Sequence, residues 1–139
     1  MNAAAANCYI NLPWESGAVG PDAFDCWGLL RWVQLHHFGI RLPALPALIE
    51  DRRLLYLDEV HAGRWQPSAA PFHGCGVLLR GGDRPHVGVW LDLDAGGVLH
   101  AQEGAGVIFT ERSNMKRMGY SRATYFRFLQ GDDCPCDKS

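Results

Sequence analysis

Apolar residues along this chain follow a helical spacing at first and a strand-like spacing later. They recur every three to four positions across residues 25–38, and Gly39 follows where a helix commonly ends. A second helix is predicted over residues 47–61. From residue 75 onward, short stretches rich in Val, Ile, Leu and aromatic residues are separated by glycine-rich turn signals. These stretches predict five strands, over residues 77–80, 86–92, 97–101, 107–110 and 124–129.

The order of these elements predicts the fold class. Helices come first and a run of strands follows, which indicates an α+β domain whose N-terminal helices pack on an antiparallel β-sheet. The 139 residues suit one hydrophobic core rather than two. We therefore expect a single domain over residues 1–130, entered through an irregular loop at 7–24 and followed by a polar, frayed tail at 131–139.

Composition and charge argue against several classes of partner. Apolar residues make up 47% of the chain and charged residues 20%, which is typical of a folded globular protein. The formal net charge of −2 offers no basic field to nucleic acid, so none is expected as a partner. No apolar stretch is long enough to span a bilayer, and the first residues lack the basic start and apolar centre of a secretory signal. We expect synthesis in the cytoplasm, without membrane insertion.

Cys26 is the first candidate for chemistry because it opens the first predicted helix. The unpaired N–H groups and the positive dipole at a helix start stabilise a thiolate, which is the nucleophilic form of cysteine. Asp25 opposes this effect weakly, unless its carboxylate turns toward the helix N–H groups as a cap. The backbone N–H of Cys26 is suited to an oxyanion hole. Position alone does not distinguish a nucleophile from a buried structural cysteine.

Two histidines on neighbouring predicted strands supply the partners that such a cysteine needs. His86 begins one strand, and His100 lies in the next strand, across a glycine-rich turn. A hairpin would make them neighbours, so that His86 acts as the base and His100 orients its ring. A lone histidine on a strand is more often structural, and it is the combination with Cys26 that indicates a hydrolytic site without a cofactor.

The five cysteines form an odd set, so at least one of them is not in a disulfide. Cys134 and Cys136 lie among aspartates in the tail, where a metal or iron–sulfur centre joined by Cys8, Cys75 or His73 is one interpretation. Their spacing fits no common zinc pattern. An exposed tail is the simpler interpretation, and no metal site is predicted.

Three blocks of the sequence resemble the NlpC/P60 family of cysteine peptidases. Residues 12–17 (LPWESG) and 24–31 (FDCWGLLR) resemble the family's Pro-Tyr…Asp-Cys-Ser-Gly-Leu signature. Residues 86–91 (HVGVWL) resemble its first histidine strand, and residues 98–101 (VLHA) resemble its second. The blocks occur in the family's order, and the stretch from the first block to the last covers most of the chain.

The resemblance implies a papain-like fold and a catalytic role for each of three residues. Cys26 takes the role of the nucleophile, His86 that of the base, and His100 that of the orienting polar residue. No cofactor is implied. The implied substrate is the peptide stem of peptidoglycan, cut between D-glutamate and the diamino acid.

A narrower resemblance concerns the tryptophan that follows the nucleophile. Asp25-Cys26-Trp27, residues 38–43 and residues 100–107 are similar to the branch of the family that tailed bacteriophages and gene-transfer agents encode. In that branch the protein is a tail-tip or tail-assembly peptidase. The resemblance implies other tail-tip proteins as partners, and a location in the phage tail with action in the periplasm.

Two positions depart from the family pattern. Trp14 stands where family members often carry a tyrosine, and Trp27 replaces the usual serine. Trp14, Trp27 and Asp25 are the expected substrate-binding residues. Two alternatives to a peptidase stay open. One is a structural tail-tip or tail-assembly component with a vestigial site, and the other is an amidase or acyltransferase that uses the same dyad.

Overall fold

The computed structural model describes residues 1–42, 65–81 and 86–129. Helix α1 spans Ala3–Asn7 and helix α2 spans Cys26–Phe38. Gly39 ends α2 in the left-handed conformation, with a φ of 68° that glycine adopts without steric cost. The helix predicted over 25–38 is thus confirmed. The helix predicted over 47–61 and the tail at 131–139 lie outside the described residues.

The described part of the chain contains six strands, which are β1 (Trp65–Ser68), β2 (Gly76–Arg80), β3 (His86–Leu91), β4 (Gly97–Gln102), β5 (Gly106–Glu111) and β6 (Arg122–Phe128). They form one sheet in the order β1-β6-β2-β3-β4-β5, and each neighbouring pair is antiparallel. All five predicted strands are present, with ends shifted by no more than two residues. The α+β class is confirmed, whereas α1 and β1 are not predicted by the sequence pattern.

Alternate side chains of the single sheet pack into an apolar cluster on each of its two sides. Helix α2 packs on β3 and β4 and covers one side of the sheet. The chain that follows β5 covers the other side, where Met115 is buried. In β3, Val87 and Val89 belong to the core under α2, so His86 and Trp90 face the other side. Within the described residues, no helix is both long enough and apolar enough to cross a membrane.

Helix α2 and strand β3 run in the same direction. In the second half of α2, Gln34 Nε2 donates a hydrogen bond of 2.9 Å to the Gly74 carbonyl. The Gly74 N–H in turn donates a hydrogen bond of 2.7 Å to the carbonyl of Trp90, near the end of β3. The later part of α2 therefore lies beside the end of β3. At the other end of the helix, Trp27 and Val87 line the same small cavity, so the start of α2 lies beside the start of β3.

Candidate active site

The carboxylate of Asp25 holds the start of α2. Its Oδ1 accepts a hydrogen bond of 2.7 Å from the Gly28 N–H, and its Oδ2 accepts one of 3.2 Å from the Gly17 N–H. Asp25 is only 7% exposed, and its carboxylate accepts hydrogen bonds from backbone N–H groups of the helix and of the entry loop. It is also the capping arrangement that leaves a thiolate at Cys26 least disturbed. Cys26 follows as the first residue of α2 and is 4% exposed.

Gly28 allows this cap to form because a side chain does not fit at its position. A Cβ at residue 28 would lie 2.2 Å from the Ala18 carbonyl oxygen and 3.0 Å from Asp25 Oδ1. Replacing glycine by alanine inside a helix normally stabilises it by up to about 1 kcal/mol. Here we expect the opposite sign, with Gly28→Ala lowering the free energy of unfolding by about 2 kcal/mol. Urea denaturation measures the difference, and an unchanged or raised midpoint would contradict the close approach of the 18–25 loop to α2.

Three buried side chains on adjacent strands form a hydrogen-bonded chain. His86 Nε2 on β3 lies 2.8 Å from His100 Nδ1 on β4, and His100 Nε2 lies 2.9 Å from Thr110 Oγ1 on β5. Gly88 leaves room for His100, because a Cβ at residue 88 would lie 3.0 Å from the His100 Cβ. The predicted contact between the two histidines is confirmed. Thr110 extends the chain beyond the residues that the sequence indicates.

The protonation state of His100 restricts the direction of these hydrogen bonds. Burial lowers the pKa of His100 from 6.5 to about 4, so its ring is neutral at neutral pH. A neutral imidazole has one N–H donor and one acceptor nitrogen. When His100 donates from Nε2 to Thr110 Oγ1, its Nδ1 accepts from the Nε2–H of His86. In a neutral His86 ring, Nδ1 is then the acceptor nitrogen.

The low pKa of His100 predicts a specific loss of stability in acid. An unfolded histidine takes up its proton near pH 6.5, whereas folded His100 does so near pH 4. Between these values the unfolded state binds more protons, so the free energy of unfolding falls as the pH falls. The contribution of the neutral His100 ring to the free energy of unfolding is complete above pH 6.5, where it amounts to about 3 kcal/mol.

Urea midpoints measured at intervals between pH 6.5 and about pH 4 test this expectation. The midpoint of the wild type is expected to fall more steeply than that of His100→Gln, because glutamine does not titrate. Ionisable groups that do not contact residue 100 act equally in both proteins and cancel in the comparison. Parallel curves for the two proteins would contradict the assignment of a neutral, buried ring at residue 100.

Tyr120 joins the histidine pair, although the sequence alone gives no indication of it. Its ring stacks on His86 with 5.5 Å between centroids and 6° between the planes, and it meets the edge of His100 at 6.1 Å. Its hydroxyl donates a hydrogen bond of 2.6 Å to Gln102 Oε1. Stacking in this geometry favours one orientation of the imidazole over others. Tyr120 therefore acts as a positioning residue for His86.

Comparison with protein families identifies the kind of protein to which these residues belong. The model of the NlpC/P60 family matches residues 11–128, a range that includes Cys26, both histidines and Tyr120. The chain belongs to the NlpC/P60 family. Members of this family are cysteine peptidases and hydrolases. A search of curated protein sequences found no match.

Solved NlpC/P60 structures share the fold of this chain. The NlpC/p60 domain of the peptidoglycan hydrolase SagA is 24% identical, with a TM-score of 0.56 over 88% of this chain and 92% of that one. NlpC2 and NlpC1 from Trichomonas vaginalis are both 18% identical, with TM-scores of 0.62 and 0.61. Their alignments cover 91% and 89% of this chain but only 45% and 41% of the Trichomonas proteins. The NlpC/P60 fold expected from the sequence is confirmed.

The two tryptophans expected to bind substrate occupy different places in this NlpC/P60 domain. Trp14 is half-buried, and two backbone hydrogen bonds of 3.1 Å between Phe24 and the residues on either side of Trp14 hold it beside the start of α2. Trp27 is only 1% exposed and packs against Trp65, with 6.2 Å between the ring centroids. Trp14 thus has surface to offer to a substrate. Trp27 lies in the core, where a substrate does not reach it.

The other described cysteines of the NlpC/P60 domain have different surroundings. Cys75 is 1% exposed, and burial raises the pKa of its thiol to about 11, which keeps it protonated and unreactive at neutral pH. Cys8 is exposed. Across residues 1–42, 65–81 and 86–129, no three potential metal ligands come together. Cys134 and Cys136 lie outside these ranges.

Proposed function

We propose that this protein is a cysteine peptidase that hydrolyses the peptide stem of peptidoglycan between D-glutamate and the diamino acid. Cys26 is the nucleophile, His86 is its base, and His100 orients His86. Membership of the NlpC/P60 family and the fold shared with a peptidoglycan hydrolase domain support the class of reaction. The roles of the three residues rest on the geometry of this chain.

The common direction of α2 and β3 is the observation that carries the proposal. Gln34 and Trp90 are both hydrogen-bonded to Gly74 and mark one level along the two elements. From that level, the helix extends back about 12 Å to Cys26. The strand extends back about 13 Å to His86. The two residues therefore lie at the same end of the sheet. Because the His86 ring leaves β3 on the face away from α2, the proposed Cys26–His86 pair has to meet at the very start of the strand.

The proposed reaction forms a thioester and then hydrolyses it. The Cys26 thiolate attacks the amide carbonyl carbon, and backbone N–H groups at the start of α2 stabilise the oxyanion. His86 carries the proton that came from the thiol and gives it to the leaving amine as the C–N bond breaks. It then takes a proton from water, whose oxygen attacks the thioester carbonyl. Release of the acid regenerates the thiolate and the protonated His86.

The three residues expected to bind substrate have separate roles in this proposal. Trp14, which is half-buried beside the start of α2, makes a direct contact with the peptide. Asp25 acts through the cap that fixes the first turn of α2. Trp27 acts through its packing against Trp65, which anchors the same turn in the core.

Release of fragments from purified peptidoglycan, analysed by mass spectrometry, tests the proposed activity. The wild type is expected to release stem-peptide fragments with a new C-terminus at D-glutamate. If the folded protein released no fragments, the structural tail component would replace the peptidase as the explanation. Hydrolysis of a small acyl ester without release of fragments would instead favour an amidase or acyltransferase.

The proposal includes a place of action, namely the tail tip of a bacteriophage or gene-transfer agent that delivers the enzyme to the periplasm. Support comes from Asp25-Cys26-Trp27 and residues 100–107, which resemble the branch of the family that phages and gene-transfer agents encode. Its partners are then other tail-tip proteins. Mass spectrometry of purified particles and of their tail-assembly intermediates tests this role. Detection of the chain in either is the expected result, and its absence from both would contradict the proposal.

A further inference from the structure

One segment of the chain contains several basic residues and no acidic residue of its own. The whole sequence has 13 basic and 15 acidic residues, yet residues 112–129 contain no acidic residue at all. This segment leads from the end of β5 through Tyr120 into β6 and therefore borders the histidine pair. Its five basic residues are Arg112, Lys116, Arg117, Arg122 and Arg127.

Arg122 has a second arginine directly opposite on the neighbouring strand. It begins β6 and pairs in register with Arg80, the last residue of β2. Both side chains are exposed. Directly opposite residues of an antiparallel pair are only about 5 Å apart at their Cα atoms, and like charges at such positions repel. Within the described ranges, neither guanidinium forms an ion pair with a carboxylate.

The arginine pair lies at the end of the sheet where the proposed catalytic residues meet. Leu79, the neighbour of Arg80 in β2, pairs with His86 at the start of β3. Alternation along the strands places Arg80 on the same side of the sheet as Leu78, which belongs to the core under α2. By the same alternation, Arg122 shares a side with the core residue Phe126. Both guanidinium groups therefore leave the sheet on the α2 side, where Cys26 lies, whereas the His86 ring leaves the same end of the sheet on the other side.

We infer that Arg80 and Arg122 form a binding site for a carboxylate of the peptide substrate, next to the bond that Cys26 attacks. The inference rests on the proposed function. A guanidinium binds a carboxylate through two parallel hydrogen bonds. A carboxylate placed between two guanidinium groups also offsets their mutual repulsion. The ligand class is thus a peptide with a free carboxylate beside the scissile bond. A peptide with a neutral carboxamide at that place binds less tightly.

A matched pair of stem peptides, identical except for a carboxylate or a carboxamide beside the scissile bond, tests this site. For the wild type, KM is expected to be about tenfold lower for the carboxylate peptide. In Arg80→Gln and in Arg122→Gln, KM for the carboxylate peptide rises to that of the carboxamide peptide, and kcat stays the same. Turnover of the carboxamide peptide serves as the control for correct folding of each variant.

Arg127→Gln is the matched control because it removes the same charge from the same strand at its other end, where Arg127 pairs with Gln66. It is expected to leave both KM values unchanged. Equal KM values for the two peptides in the wild type would overturn the inference while leaving the proposed function intact. So would an equal rise in KM in Arg127→Gln, since the effect would then come from overall charge. If the wild type cut neither peptide, the proposed function itself would fall, and the inference with it.

Discussion

Cys26→Ala is expected to abolish the release of stem peptides, with kcat/KM lowered by at least about 10⁴-fold. The thiolate is the group that bonds to the substrate carbonyl, and alanine offers no atom in its place. The substitution removes one sulfur atom from a side chain that is 4% exposed. The free energy of unfolding then falls by only about 1 kcal/mol, so the variant remains folded. Cleavage of a synthetic stem peptide measures the loss.

Cys75→Ala is the matched control for this result. Cys75 is also buried, and its thiol, with a pKa raised to about 11, stays protonated at neutral pH. Its replacement removes the same atom from the interior and lowers stability by a similar amount, yet kcat/KM is expected to stay unchanged. Equal losses of activity in Cys26→Ala and Cys75→Ala would show an effect of folding rather than of chemistry.

His86→Gln is expected to lower kcat/KM by about 10³-fold. Glutamine does not take up a proton, so the leaving amine departs without the acid that His86 supplies. Its side-chain amide still donates a hydrogen bond to His100 Nδ1, which lies 2.8 Å from His86 Nε2 in the wild type. The loss of rate therefore reports proton transfer rather than the collapse of the hydrogen-bonded chain.

The pH dependence of kcat/KM separates this explanation from a structural one. His100 stays neutral down to about pH 4, so a limb of the profile at higher pH belongs to the Cys26–His86 pair. The limb is expected in the wild type and is expected to move to higher pH in His86→Gln, where the Cys26 thiol titrates alone. His37→Gln, at a histidine that bonds to the Tyr9 hydroxyl at 2.7 Å, is expected to keep both the rate and the limb. A limb that stays at the wild-type pH in His86→Gln would contradict the role of His86.

The sequence predicts the elements that local signals specify. Helix α2 is predictable because apolar spacing, the capping residue Asp25 and the terminal Gly39 all lie within one segment. The pairing of β3 with β4 is predictable from the turn between them, and it brings His86 and His100 together. Strand β1 has only four residues, and one of them is Pro67, which argues locally against a strand. Its partner, β6, is the last described strand and lies far from β1 in the sequence.

Other parts of the candidate site depend on contacts between distant segments, which no local pattern reveals. Tyr120 stacks on His86, although His86 precedes the β4–β5 hairpin in the sequence and Tyr120 follows it. Thr110 becomes a partner of His100 only through the register of β4 with β5. Trp27 follows the proposed nucleophile in sequence, but a step of one residue turns a side chain about 100° around the helix. That turn directs Trp27 into the core rather than toward a substrate.

In the proposed mechanism, Cys26 and His86 share a proton where α2 and β3 begin. Alkylation by iodoacetamide at mildly acidic pH, with each modified cysteine located by mass spectrometry, tests it most directly because only a thiolate reacts. The exposed Cys8 serves as the internal reference. We predict that Cys26 reacts at least about tenfold faster than Cys8 in the wild type, and that His86→Gln removes this advantage. A Cys26 that reacts no faster than Cys8, or equally fast with and without His86, would show that the two residues do not share a proton.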